Sequence, residues 1–133
     1  MKRFSRVLPF AAALIFATAT SASFADQSEM AKAVWDRHVR AAISGDVDAV
    51  MQDFTEDSVI ITMDGTIAGK DAIRGFFEEF LGAAAANPVV NREIVHGNIV
   101  VFNFTEGDQT FHDTAVIADD KIVAISTIGY PAR

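Results

Sequence analysis

The chain has 133 residues, half of them hydrophobic, which is one domain's worth with enough apolar mass for a real core. It contains no cysteine, so disulfides and thiolate metal sites are excluded. The formal charge is −7, and residues 1–25 hold Lys2, Arg3 and Arg6 but no acid, so the rest of the chain is more acidic still. Such a surface repels phosphate backbones and anionic lipid, which argues against nucleic-acid or membrane partners.

Residues 1–25 read as a cleaved secretory signal peptide. The basic start precedes an apolar run from Val7 to Ala19, and small Ser23 and Ala25 flank Phe24 at a cleavage site placed after Ala25. The run is short and rich in Ala and Thr, a poor membrane span. The mature domain is then residues 26–133, periplasmic or secreted.

A first helix is predicted over Gln27–Ser44, with Met30, Ala31, Val34, Trp35, His38, Val39 and Ala42 on one face and Gly45 as its stop. Asp46 caps a second, Val47–Phe54. Thr55-Glu56-Asp57 is a polar break before a strand at Ser58–Met63. Asp64-Gly65 is a hairpin signal, and Thr66–Ala68 returns. A third helix runs from Lys70 to about Ala85, because Ile73, Phe76, Phe77, Phe80 and Leu81 recur at helical spacing. Asn87-Pro88 ends it. Four strands follow, Val89–His96, Asn98–Glu106, Gln109–Ala118 and Lys121–Tyr130, joined by turns short enough to make neighbours antiparallel. Three helices and a short hairpin packed on a curved antiparallel sheet make an α+β fold, and a pocket is expected at the open end of such a sheet.

Three stretches carry a family likeness: Ser44-Gly45-Asp46-Val47-Asp48-Ala49-Val50, Phe54-Thr55-Glu56-Asp57-Ser58-Val59, and Gly69-Lys70-Asp71-Ala72-Ile73-Arg74-Gly75-Phe76-Phe77. With Asp113-Thr114-Ala115-Val116-Ile117 and Asp119-Asp120-Lys121-Ile122-Val123, they resemble the SnoaL-like branch of the NTF2-like superfamily across the whole mature chain. The resemblance implies a cone-shaped α+β fold, usually a homodimer through the outer sheet face. It does not imply one activity, since ketosteroid isomerases, polyketide cyclases, dehydratases and non-catalytic proteins share the fold.

Two residues are the candidate catalytic pair. His38 interrupts the apolar stripe of the first helix, at the position where the resemblance implies the oxyanion-hole tyrosine of ketosteroid isomerases; the alternative is a core histidine satisfied by backbone. Asp113 interrupts a strand whose alternate residues Phe111, Ala115 and Ile117 are apolar, so it points inward, where burial raises its pKa. It matches the pocket aspartate of isomerases and cyclases; the alternative is a structural aspartate. Together they would form a His–Asp pair across the pocket. The isomerases' general-base aspartate falls near Thr62, and threonine cannot take that proton; Asp64 reads as a turn residue. Trp35, Phe54, Phe76, Phe80, Phe102 and Phe104 lie on predicted inward faces, as core or as contacts for an apolar ligand. The three histidines do not converge on a metal site, and no cofactor motif is present. The reading is a cofactor-independent isomerase, cyclase or dehydratase acting on a small hydrophobic carbonyl compound, against a non-catalytic periplasmic binder or a structural dimerisation module.

Overall fold

A computed structural model describes residues 22–83 and 87–132. Helix α1 (Phe24–Ser44) begins three residues before the predicted start, because Ser23 and Asp26 form a reciprocal cap: the Asp26 N–H donates to Ser23 Oγ, and the Ser23 N–H to Asp26 Oδ2, each at 3.1 Å. Gly45, at φ 72°, closes it in the left-handed conformation that glycine adopts without strain. Ala31, Val34, Trp35, His38 and Ala41 form the buried stripe.

Helix α2 (Val47–Met51) is capped by Asp46 and stops three residues earlier than predicted. Gln52 and Asp53 turn, and Phe54 already belongs to strand β1 (Phe54–Thr62). The expected polar break at Thr55-Glu56-Asp57 is instead an irregularity inside β1. Phe54 pairs with Ile122 and Val59 with Ala124, so β1 carries extra residues between two ladder positions. Fully buried Ser58 bridges the gap, donating to the Ile122 carbonyl at 2.7 Å and accepting the Thr55 N–H at 2.8 Å.

Strand β2 (Gly65–Ala68) completes the hairpin, and helix α3 (Lys70–Ala83) follows, with Ile73 and Phe77 fully turned to the core. The predicted end of this helix, near Ala85, lies outside the described residues. Strands β3 (Val89–His96), β4 (Ile99–Glu106), β5 (Gln109–Ala118) and β6 (Lys121–Pro131) form the antiparallel meander. The six strands make one sheet in the order β2-β1-β6-β5-β4-β3. The β1–β6 pairing is parallel, so the sheet is mixed at that seam. Register shifts in β1/β6, β3/β4 and β5/β6 bend it, because each extra residue increases local twist. Helix α1 lies on β3, β4 and β5 and helix α3 on β1 and β2, all on one face of the sheet. The core fills the space between: Trp35, Phe54, Ile60, Ile73, Val100 and Ile122 are essentially inaccessible. Among the described residues no helix is long and apolar enough to cross a membrane.

Candidate functional site

The core does not fill the whole space under the helices. A cavity of about 740 Å³ opens between α1, α3 and the sheet. Of the aromatics expected to face inward, Trp35, Phe76, Phe80, Phe102 and Phe104 stand in its wall. Phe54 does not. It is 1 % exposed and packs beneath the cavity, its ring 5.6 Å from those of His38 and Phe77. Phe77 and Phe111 also line the cavity, Phe111 stacked on Phe104 at 4.9 Å. Their place follows from the periodicity of α3 and the alternation of β5.

Both candidate ionisable residues line this same cavity. Asp113 sits on β5 between Phe102 of β4 and Thr127 of β6, its direct cross-strand partners. Its Oδ1 is buried without a hydrogen-bond partner. Burial pushes the carboxyl up to about 6, with the Thr127 hydroxyl pulling weakly the other way. His38 is 5 % exposed, ringed by Trp35, Phe54 and Phe77 at 5.2–5.6 Å. Burial pushes its imidazole down to about 4, and the Arg37 charge acts in the same direction. At neutral pH the imidazole is therefore uncharged.

Among the described residues no hydrogen bond or ion pair joins His38 to Asp113. The carboxylate beside His38 is Asp53, which the sequence reading did not single out. Asp53 is wholly buried, and its Oδ2 stands 3.9 Å from His38 Nδ1, with neither atom hydrogen-bonded. Its Oδ1 accepts from Arg37 Nε at 2.6 Å, and its backbone carbonyl accepts the Ile122 N–H at 2.7 Å. Burial raises the Asp53 carboxyl above the usual aspartate value, while Arg37 draws it back. The sequence carries one faint signal for this: Asp53 lies between the buried Met51 and Phe54, in a segment with few other places to go.

The cavity mouth includes Thr62 and Asp64. Thr62 Oγ1 is engaged in the hairpin, donating to the Gly65 carbonyl at 3.1 Å and accepting the Asp64 N–H at 3.2 Å. No lysine or arginine among the described residues lines the cavity. The other two histidines are elsewhere: His96 packs edge-on against Phe24, and His112 is hydrogen-bonded to Tyr130. No group of three His, Asp or Glu side chains among the described residues could hold a metal ion.

Comparison with known proteins agrees with this architecture. A crystal structure of an NTF2-like protein of unknown function from Burkholderia xenovorans LB400 superposes with a TM-score of 0.71 at 17 % identity, over 80 % of this chain and 88 % of that one. A second, from Kribbella flavida DSM 17836, whose name assigns it provisionally to the ketosteroid isomerases, gives 0.67 at 15 % identity, over 79 % and 81 %. A de novo designed protein with a curved β-sheet gives 0.67 at 18 % identity, over 77 % and 87 %. At these identities the likeness establishes the cone-shaped NTF2-like fold alone. No curated protein matches the chain. The family model for the SnoaL-like domain matches residues 35–125, from the tryptophan in the cavity wall to the core isoleucine of the last strand. With helices, bent sheet and hollow all in place, this chain belongs to the SnoaL-like domain family.

Proposed function

We propose that this protein is a cofactor-independent acid–base catalyst of the isomerase, cyclase or dehydratase kind, acting on a small hydrophobic carbonyl compound held in the cavity. The observation that carries the reading is an aspartate and a histidine set into the wall of one aromatic cavity, with their proton affinities moved in opposite directions. Between the two values Asp113 is protonated and can donate to a substrate oxygen, while His38 is neutral and can accept a proton from carbon. The absence of lysine or arginine from the described wall disfavours carboxylate and phosphate ligands.

The roles are tested by turnover of candidate cyclic ketones and enones, with proton exchange into deuterated water as the readout. His38→Ala and Asp113→Asn should each lower the rate by about 10²–10⁴-fold. Turnover unchanged in both variants removes the assignment. Binding without any conversion in the wild type favours the alternative of a non-catalytic binder, which the lack of a direct His38–Asp113 contact also suits.

The proposal includes export, supported by the basic-then-apolar opening and the small residues before Asp26. It includes a homodimer as well. The outer face of the sheet carries Ile61, Ile94, Ile99, Ile128 and Tyr130, all exposed, and is poor in charge for so acidic a chain. Mass spectrometry of the secreted form and sedimentation analysis test the two points.

A further inference from the structure

The cavity chemistry proposed above uses His38 but leaves unused the most deeply buried carboxylate of the described residues. Asp53 is 0 % exposed, and burying a carboxylate that completely is costly unless it is paired. Arg37 accounts for one of its oxygens, at 2.6 Å. The other oxygen, Oδ2, has no donor. Neither has Nδ1 of His38, and the two unmatched atoms face each other at 3.9 Å. That separation is about 0.7 Å beyond the usual upper limit of about 3.2 Å, so the two atoms are neighbours that form a hydrogen bond only when the ring or the carboxylate shifts towards the other. Hydrogen bonds of this kind are often long without ligand and tighten in the complex.

We infer that Asp53 is a positioning residue that holds His38 in the tautomer protonated at Nδ1, leaving Nε2 as a bare proton acceptor towards the cavity. An imidazole Nδ1–H satisfies the free Asp53 oxygen; a bare Nδ1 would set a lone pair against a buried carboxylate. The placement of Asp53 is rigid. Its N–H is bonded back to Val50, its carbonyl accepts from Ile122 of β6, and Lys121 Nζ donates to the adjoining Gln52 carbonyl at 2.6 Å. Arg37 has a second part. Burial is the main reason the imidazole stays neutral, and the Arg37 guanidinium adds to it while balancing the Asp53 charge, so the carboxylate orients the ring without making it strongly basic. Arg37 is in turn held from outside by Asp120, 3.5 Å from its Nη1. The arrangement runs from the turn between β5 and β6 inward to the cavity wall: Asp120, Arg37, Asp53, His38. This assignment rests on the reading of His38 as the proton acceptor, but its test does not depend on turnover.

The test is nitrogen NMR of the full chain labelled with ¹⁵N-histidine, with the His38 signals assigned by loss in His38→Gln. At pH 7 the wild-type His38 should show the Nδ1–H tautomer in clear majority. Asp53→Asn, which keeps the shape and removes the charge, should lower that majority several-fold towards the free-imidazole ratio. His96 and His112 should not change. A wild-type ring protonated at Nε2 overturns the assignment, and so does a tautomer ratio that Asp53→Asn leaves unaltered. Should Asp53→Asn fail to fold, the wild-type tautomer alone still decides. An Nδ1–H imidazole in a protein that converts no substrate would instead count against the proposed function and leave this assignment standing.

Discussion

Replacing Asp113 by asparagine should make the protein more stable, and only above the pH at which aspartate ionises. The folded protein holds this carboxyl at about 6, against 3.8 for an unperturbed aspartate. Below 3.8 the group is neutral in both folded and unfolded chains, so asparagine and aspartic acid are near equivalents. Between 3.8 and 6 the native state keeps a proton that the unfolded chain has released, and wild-type stability falls as pH rises. Above 6 the loss is complete, and it corresponds to about 3 kcal/mol, or about 1–3 kcal/mol once the open cavity mouth screens the charge. Asparagine has nothing to release and avoids the loss. His38 works in the opposite direction. Its lowered value costs stability as pH falls from 6.5 towards about 4, because the unfolded chain gains a proton the native state refuses. That effect is common to both proteins and cancels in their difference. The assay is urea unfolding of wild type and Asp113→Asn at intervals from pH 4 to pH 8. The stability difference should grow through pH 4–6 and then level off with the variant ahead. A variant that is equally or less stable at pH 8, or a difference independent of pH, refutes the placement of an ionisable carboxyl in an apolar wall.

If Asp113 donates and His38 accepts, kcat/KM for an identified substrate should be bell-shaped, falling below about pH 4 and above about pH 6, and Asp113→Asn should remove the upper limb. Phe54→Ala should destabilise the fold by about 3–5 kcal/mol in chemical unfolding, because the ring is buried beneath His38 and Phe77 and its loss leaves a void. Asp119 stands at φ 50°, so Asp119→Gly should raise the unfolding midpoint, gaining up to about 1 kcal/mol by relieving that strain against glycine's greater unfolded freedom. The same change at Asp120, φ 61°, should gain less, since it also removes the contact to Arg37.

Helical periodicity located α1 and α3 because each has one apolar stripe and one partner surface, and strand alternation was enough to turn Asp113 inward. These are local signals, and the tertiary structure keeps them. The misplaced boundary is where local and distant forces diverge. Thr55, Glu56 and Asp57 look like a loop in isolation, but Ser58 ties that stretch to Ile122, sixty-four residues later in the chain, and β1 starts at Phe54. The same crossover makes β1 and β6 parallel, which no turn signal encodes. Asp53 was only faintly legible for a related reason. Its burial depends on an arginine in α1 and on backbone groups of β6, and neither is its neighbour in sequence. Phe54 read correctly as inward-facing, but the difference between lining a hollow and lying under its floor is one residue layer, and periodicity does not resolve that.

Trp35 is the only tryptophan in the chain, and it stands in the cavity wall 5.2 Å from His38 and 5.5 Å from Phe102, its indole N–H without a partner. The protein thus carries a built-in optical reporter in the wall of the cavity where the proposed substrate would settle. Changes in its ultraviolet emission can be followed across a library of unlabelled compounds, so ligands can be ranked before any reaction is known.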